Sequence, residues 1–261
     1  MQPQRQLKPR QHKVVRPFTK FWFRQYHISD TVRDLADILN GKVLKLEGSQ
    51  YRKKNGHVLI NWGSTQPLPG CDLNKPENVA VAVSKRGTFR VLQAAGVPIP
   101  QWTENPQEAL SWNGKVVGRD SDNGRGGQGI TVYKRGENLR PHLFYSSYFK
   151  KRREFRIHVF KDKVIFEQEK LKKKGEENAD KYIRSHDRGW CFAFKHLADE
   201  PVPDNVRTAA RMAVAAVGLD FGAVDIGWNP DNGACVFEVN TAPGLEESSL
   251  LAYTDAIREL Q

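Results

Sequence analysis

The sequence predicts an α+β fold, on three observations. Residues 154–170 and 222–240 each alternate apolar and polar residues around a tight polar turn, the pattern of antiparallel hairpins. Helical spacing recurs at 29–41, 84–96 and 205–219, interleaved with strands rather than alternating with them one for one. A doubly wound parallel sheet needs that strict alternation, so lobes of mixed structure are favoured over it.

Taken in order, residues 1–16 are expected to form a basic, flexible arm. "SDTVRDLADILNG" (29–41) opens on a Ser/Asp cap, sets Val32, Leu35, Ile38 and Leu39 on one face and stops at Gly41. "KVLKLEG" and "HVLINWGS" then read as short strands, and "CDLNKPEN" (71–78) as a polar break. "SKRGTFRVLQAAG" (84–96) is a helix with Phe89, Leu92 and Ala95 on one side, and "VPIP" carries the chain away extended. "KVVGR" (115–119) and "ITVY" (130–133) are strands around a glycine-rich loop, "DSDNGRGGQG" (120–129). The first hairpin turns at Lys161–Asp162, and the second turns on "NPDNG" after the helix at 205–219.

Composition narrows the class. At 261 residues the chain can bury a full core, and 39% hydrophobic content with six Trp and thirteen Phe is globular. No apolar run approaches the roughly 18 residues of a membrane span. The basic N-terminus has no apolar signal region. Three scattered cysteines, Cys71, Cys191 and Cys235, argue for reduced thiols in a cytoplasm and against a disulfide framework or a zinc knuckle. The net charge is +11; thirteen basic and four acidic residues within 1–54 supply +9 of it. A second basic run covers 150–174. Such a surplus suits polyanionic partners: nucleotides, an acidic peptide or nucleic acid.

Two carboxylates interrupt the second hairpin, Asp225 in its first strand and Glu238 in its second. Adjacent antiparallel strands can bring both onto one face, where they cannot both stay ionised without a compensating cation. Asn240 adds a neutral oxygen two residues on. Asp, Glu and Asn without Cys or His form a hard oxygen set suited to Mg²⁺, or Mn²⁺ in its place. The alternative is a hairpin whose acids pair with Lys or Arg. In the glycine-rich loop, backbone N–H groups can approach a phosphate closely, although a hairpin loop also favours glycine. Arg119 stands at the mouth of that loop.

Set in order, these segments resemble the ATP-grasp superfamily of carboxylate–amine ligases, most nearly its RimK-type branch, which adds glutamate to a protein C-terminus. The resemblance covers residues 84–255. It implies two α+β lobes gripping ATP: a first lobe at 84–149, a second lobe with the metal site at 150–261, and a reduced N-terminal α/β region at 17–83. "SKRGTFRVLQAAGVPIP" is similar to the family's opening helix and implies that Lys85 contacts ATP. "VVGRDSDNGRGGQGITV" resembles the phosphate loop, giving Arg119 (where the family usually has Lys), Gly126, Gly127, Gln128 and Gly129. "SSYFKKRREFRIHVF" resembles the hinge, with Tyr148 and Phe149 flanking adenine and Glu154 on the ribose. Ser146 and Ser147 stand where the family usually has an acid. Arg156 falls on an arginine facing the transferred phosphoryl group, and "YIRSHDRGW" places Arg184, with Ser185, at the phosphates. "GLDFGAVDIGW" and "FEVNTAPGLE" imply Asp225, Glu238 and Asn240 as Mg²⁺ ligands. His158 and His186 are expected to be structural, and 171–182 a mobile, solvated lid.

The function so implied is an ATP- and Mg²⁺-dependent ligase, with a carboxylate donor (an amino acid or acidic peptide) and an amine acceptor. Phosphoryl transfer makes an acylphosphate, and the amine then displaces phosphate. Arg156 and Arg184 would stabilise the developing charge. A small-molecule kinase on the same fold is one alternative, and a non-enzymatic basic nucleic-acid-binding or scaffold protein is another. The acceptor could itself be a polyanion.

Overall fold

The computed structural model describes residues 19–124 and 126–261; the arm expected over 1–16 lies outside them. Strand β1 (Lys20–Gln25) alternates, with Phe21 and Phe23 fully buried and Lys20, Trp22 and Arg24 half-buried on the other face. Helix α1 (Asp30–Ile38) packs Val32, Leu35 and Ala36 into the core that holds Phe21 and Phe23. The strand expected over 42–48 shrinks to β2 (Lys42–Val43). Leu44 donates one more ladder bond, to Phe23, and the chain then bends away through 46–48. Strand β3 (His57–Trp62) runs on the other side of β1, and both pairings are parallel.

Asn74 ties this small sheet to the rest. Held at φ 57, its side-chain oxygen accepts from the backbone N–H groups of Asp220 and Phe221, and its amide donates to the Phe221 carbonyl. The polar break expected over 71–78 ends early, because Pro76 starts helix α2 (Pro76–Val83), with its fixed φ suited to a first helical turn. Helix α3 (Lys85–Ala94) follows, capped by the Ser84 hydroxyl on Gly87 N–H.

A four-stranded antiparallel sheet comes next. Strand β4 (Trp102–Thr103), helix α4 (Pro106–Leu110) and strands β5 (Val116–Arg119), β6 (Ile130–Tyr133) and β7 (Phe144–Ser147) assemble in the order β4-β7-β5-β6. Ala109, Trp112, Val116, Tyr133 and Tyr145 form its own core.

The third sheet has five antiparallel strands. β8 (Arg153–Phe160) and β9 (Lys163–Lys172) form the first hairpin, turning through Lys161 and Asp162 at positive φ, as a two-residue turn requires. β10 (Trp190–Ala193) pairs on the outer side of β9. Helix α5 (Asp204–Ala216) precedes the second hairpin, β11 (Phe221–Asn229) and β12 (Gly233–Asn240), and the order is β10-β9-β8-β11-β12. One face carries Phe155, Ile157, Val159, Val224, Ile226, Val236 and Val239, and α5 covers it with Val206, Ala209, Ala210, Ala213 and Val214. Full burial of each large side chain contributes about 1.5–3 kcal/mol. Helix α6 (Glu247–Arg258) returns to the first core, where Tyr253 and Ile257 join Phe21, Phe23, Phe160 and Phe221.

Candidate active site

The sheet face opposite α5 is polar. Register sets Gln168, Arg156, Asp225 and Glu238 in one row across β9, β8, β11 and β12, each opposite the next. Strand spacing puts neighbours in such a row about 5 Å apart. Asn240 stands two residues along β12, opposite Ala223. A bulge makes the row. Counted back from the turn, Ile226 pairs with Val236 but Asp225 pairs with Glu238, so Phe237 is an extra residue. In a regular hairpin Asp225 would face Phe237, and Glu238 would point to the opposite side.

Asp225 accepts two hydrogen bonds from Arg156, at 2.7 Å from Nε and 2.9 Å from Nη2, and lies 3.8 Å from Lys170 Nζ. Burial alone would raise its carboxyl; the two cations outweigh that and hold it below the usual carboxylate range. Burial likewise opposes the charge on Arg156, and Asp225 more than offsets it, so the guanidinium pKa is raised. Asp225 is thus the arginine-paired carboxylate of the alternative reading. Glu238 is more open, with 38% of its side chain exposed and Lys85 Nζ 3.6 Å away. The Asn240 amide nitrogen is buried without a hydrogen-bond partner, so this amide is uncommitted and can present its oxygen to a cation. Among the described residues no group of three His, Cys, Asp or Glu converges. Two acids and one amide nevertheless fit a hard divalent ion that keeps several of its waters, as Mg²⁺ does.

The four-stranded sheet supplies the facing wall. Arg119, at the end of β5, is held over the Phe144 ring at 5.8 Å. Burial lowers its pKa, and the Glu238 carboxylate opposes the shift. Its Nε has no hydrogen-bond partner. The glycine-rich loop is docked on the start of α3: Asp122 accepts from Ser84 Oγ at 2.6 Å and Arg86 N–H at 3.0 Å, and Lys85 Nζ donates to Gly124 O at 3.0 Å. Gly126, Gly127 and Gly129 all have positive φ, with Gln128 between them exposed. At Gly127 a Cβ would sit 2.5 Å from Cγ2 of Ile183.

The segment expected as a lid over 171–182 starts two residues later than expected and is followed by an ordered turn. β9 continues to Lys172, so 171 and 172 belong to the sheet. Residues 180–189 fold into a turn anchored by Asp180, which accepts from Tyr182 N–H, Ile183 N–H and Arg188, and this turn lies against the glycine loop. From it Arg184 stacks over Trp190 at 4.4 Å, with Nε 4.0 Å from Glu154 Oε2. The Arg184 Nε and the neighbouring Ser185 Oγ are buried without hydrogen-bond partners.

At the hinge, Tyr148 N–H donates to Lys115 O, its ring meets Tyr182 edge-on at 5.5 Å, and Phe149 meets Phe237 at 6.1 Å. Gly227 makes room for this pair: a Cβ there would collide with the Phe237 ring and lie 3.1 Å from Phe149. Glu154 is buried and bonded to Lys170 Nζ at 2.6 Å, with Lys151 Nζ 3.2 Å from its other oxygen. Burial lowers the Lys151 pKa against the pull of Glu154. Lys151, Lys170, Phe237, Tyr182 and Phe192, whose ring lies 4.3 Å from the Arg156 guanidinium, belong to the site but were not singled out by the sequence. His158 sits within the fold, bonded to Gln168 and Tyr253, and burial lowers its pKa to about 4. His186 is exposed.

A recess of about 200 Å³ opens where β1 and β3 end, lined by Gln25, Tyr26, His27, Trp62, Ala242 and Gly244. It adjoins the chain leaving Asn240. Gly63 allows the approach, since a Cβ there would press on Ala242 and Tyr26.

No family model matches the sequence, and no curated protein matches it. Solved structures do match in shape. D-alanine–D-alanine ligase from Bacillus anthracis superposes over 93% of both chains with a TM-score of 0.61 at 15% identity. The ATP-grasp ligase PsnB, complexed with a minimal precursor, covers 93% of this chain and 99% of its own, with a TM-score of 0.62 at 13% identity. D-cycloserine synthetase DcsG covers 92% and 99%, with a TM-score of 0.60 at 16% identity. The chain has the ATP-grasp fold, α+β with one parallel and two antiparallel sheets.

Proposed function

We propose that this protein is an ATP- and Mg²⁺-dependent ligase that joins a carboxylate to an amine through an acylphosphate and releases ADP and phosphate. One observation carries the reading. Among the described residues, eight buried side-chain polar atoms lack a hydrogen-bond partner, and four of them belong to Arg119, Arg184, Ser185 and Asn240, around one cleft; a fifth, Glu154 Oε2, is met only by the ion pairs with Lys151 and Arg184. Folded chains seldom leave such atoms unpaired unless water, an ion or a ligand satisfies them, and their clustering here points to a shared polar occupant. The fold adds support: PsnB has been crystallised with Mg and ADP, and the Bacillus anthracis ligase with ATP.

In this reading Tyr148, Phe149 and Phe237 hold adenine, and Glu154 orients the ribose by exchanging its contact with Lys151 for a hydroxyl. Lys85, Arg119 and the backbone of Gly126–Gly129 hold the phosphates. Asp225, Glu238 and Asn240 would hold Mg²⁺, which neutralises phosphate charge; Mn²⁺ suits the same oxygen set. Arg156 and Arg184 face the phosphoryl group as a substrate carboxylate oxygen attacks it and ADP leaves. An amine then attacks the acyl carbon, loses a proton and expels phosphate, giving the amide. In this reading positioning does most of the work, and no covalent enzyme nucleophile takes part. The recess beside Asn240 would hold one of the two joined substrates, as ligands commonly bind beyond the carboxyl ends of parallel strands. The turn carrying Arg184 and Ser185 favours the RimK-type branch.

The test is incubation with ATP, Mg²⁺ and a fractionated cell extract, reading ADP, phosphate and product masses together. ADP and free phosphate with a new amide support the ligase. Phosphate retained on the product would make the protein a kinase, and absence of nucleotide turnover would leave a binding protein on an old fold.

A further inference from the structure

The outer face of the β2-β1-β3 sheet combines rings and positive charge away from the cleft. Trp22 points outward from β1 and meets Tyr51 at 4.6 Å and His57 at 5.5 Å, while the Tyr51 and His57 rings stack at 5.9 Å. Lys20 Nζ and Lys42 Nζ lie over the Trp22 ring at 5.9 and 5.7 Å. Arg24, next on this face, donates to Lys45 O across the sheet edge. Residues 42–57 carry five Lys or Arg and one acid, Glu47, and Lys42, Lys45, Arg52 and Lys54 are exposed. Lys53 is paired with Asp72 and is discounted.

The Trp22 indole N–H is buried and has no hydrogen-bond partner. That leaves a donor the folded chain does not satisfy, beneath a half-buried tyrosine at the centre of the basic face.

We propose that this face is a docking surface for a single-stranded nucleic acid. The charge attracts a phosphate backbone, and the three rings offer what an acidic peptide cannot use: flat partners for unpaired bases. The proposal does not depend on the ligase reading, because it concerns binding without ATP, at the far face of a sheet whose strand ends lead to the recess beside Asn240.

The test uses full-length protein and a fluorescein-labelled mixed-sequence RNA 12-mer, without nucleotide, read by anisotropy at 50 and 200 mM salt. Neutralising about four phosphates should weaken binding about fiftyfold between these salts, at a slope of about −0.7 per contact. The Lys20→Gln/Lys42→Gln variant should cut that salt loss to about sevenfold. Tyr51→Ala should weaken binding about fivefold or more without changing the slope. The lysine variant alters surface charge only, so it tests the face even if Tyr51→Ala unfolds. Ultraviolet crosslinks to Trp22 or Tyr51 would place the strand there. Unchanged binding in the lysine variant, crosslinks confined to residues 1–18, or equal competition by a poly-glutamate peptide of matched charge would each overturn the proposal.

Discussion

Replacing Gly127 by Ala tests whether the turn carrying Arg184 closes the phosphate cradle. Gly127 has φ 80, and left-handed backbone costs a residue with a Cβ about 1–2 kcal/mol. The new methyl would also stand 2.5 Å from Ile183 Cγ2, and overpacking of that kind costs about 1–3 kcal/mol. Ile183 is only half-buried and can give way, which favours the lower part of that range. Together the costs reach about 2–4 kcal/mol. Spent on lifting the turn or bending the loop, they appear as nucleotide affinity lost by about thirty- to a thousandfold. The assay is calorimetric titration of ADP with Mg²⁺ into wild type, Gly127→Ala, Ile183→Ala and the double variant. Ile183→Ala alone should change affinity little. Added to Gly127→Ala it should remove the collision and leave only the backbone share, about five- to thirtyfold. Wild-type affinity in Gly127→Ala, or a double variant no tighter than the single one, would refute the contact as a part of the cradle.

Three further outcomes are expected. Glu238→Gln should abolish ADP release while changing the unfolding free energy read by urea titration by less than about 0.5 kcal/mol, since this side chain is partly open; equal turnover would remove Glu238 from the metal set. Arg184→Ala should lower kcat far more than it raises KM for ATP, whereas Arg156→Ala should also destabilise the fold by about 3 kcal/mol, because Asp225 stays buried; denaturant titration with steady-state kinetics separates the two. His158, with a pKa near 4 against about 6.5 unfolded, binds a proton more readily in the unfolded chain, so its stability is intact above about pH 6.5 and falls by about 3 kcal/mol as pH drops towards 4. His158→Gln should flatten that part of the pH–stability curve.

Both hairpins and the helices at 29–41, 84–96 and 205–219 were legible because period and punctuation agreed in each. Helix α6 carries apolar residues at Leu250, Tyr253 and Ile257, but Glu246 caps it in place of the commoner Ser, Thr or Asp. Strand β10 is four residues without polar alternation, and β2 is two, too short for periodicity to speak. In the site, charge and glycine pattern indicated the residues but not their partners. A regular first hairpin would set Glu169 opposite Glu154. The irregularity between His158 and Val159 shifts the pairing, so Phe155 meets Glu169 and the residue beside Glu154 becomes Lys170. One residue of slip in each hairpin decides which side chains meet, and composition does not record it.

Charge balance across the cleft separates a binding site from a hairpin whose acids merely pair. Lys85, Lys151, Lys170, Arg119, Arg156 and Arg184 surround three carboxylates, Glu154, Asp225 and Glu238. Three bases would suffice to neutralise three acids; this cleft keeps twice that number, with burial already lowering the pKa values of Arg119 and Lys151. Buried like charges are costly, so a surplus of about three persists only where something anionic offsets it. In the proposed ligase, ATP with one divalent ion would bring about −2 and a substrate carboxylate about −1, which together would cancel the surplus. Either anion alone leaves positive charge unmatched. On charge alone each bound anion uses up part of the surplus that the other would meet, so nucleotide and carboxylate should each weaken the other's binding relative to the free protein, by the same factor in both directions.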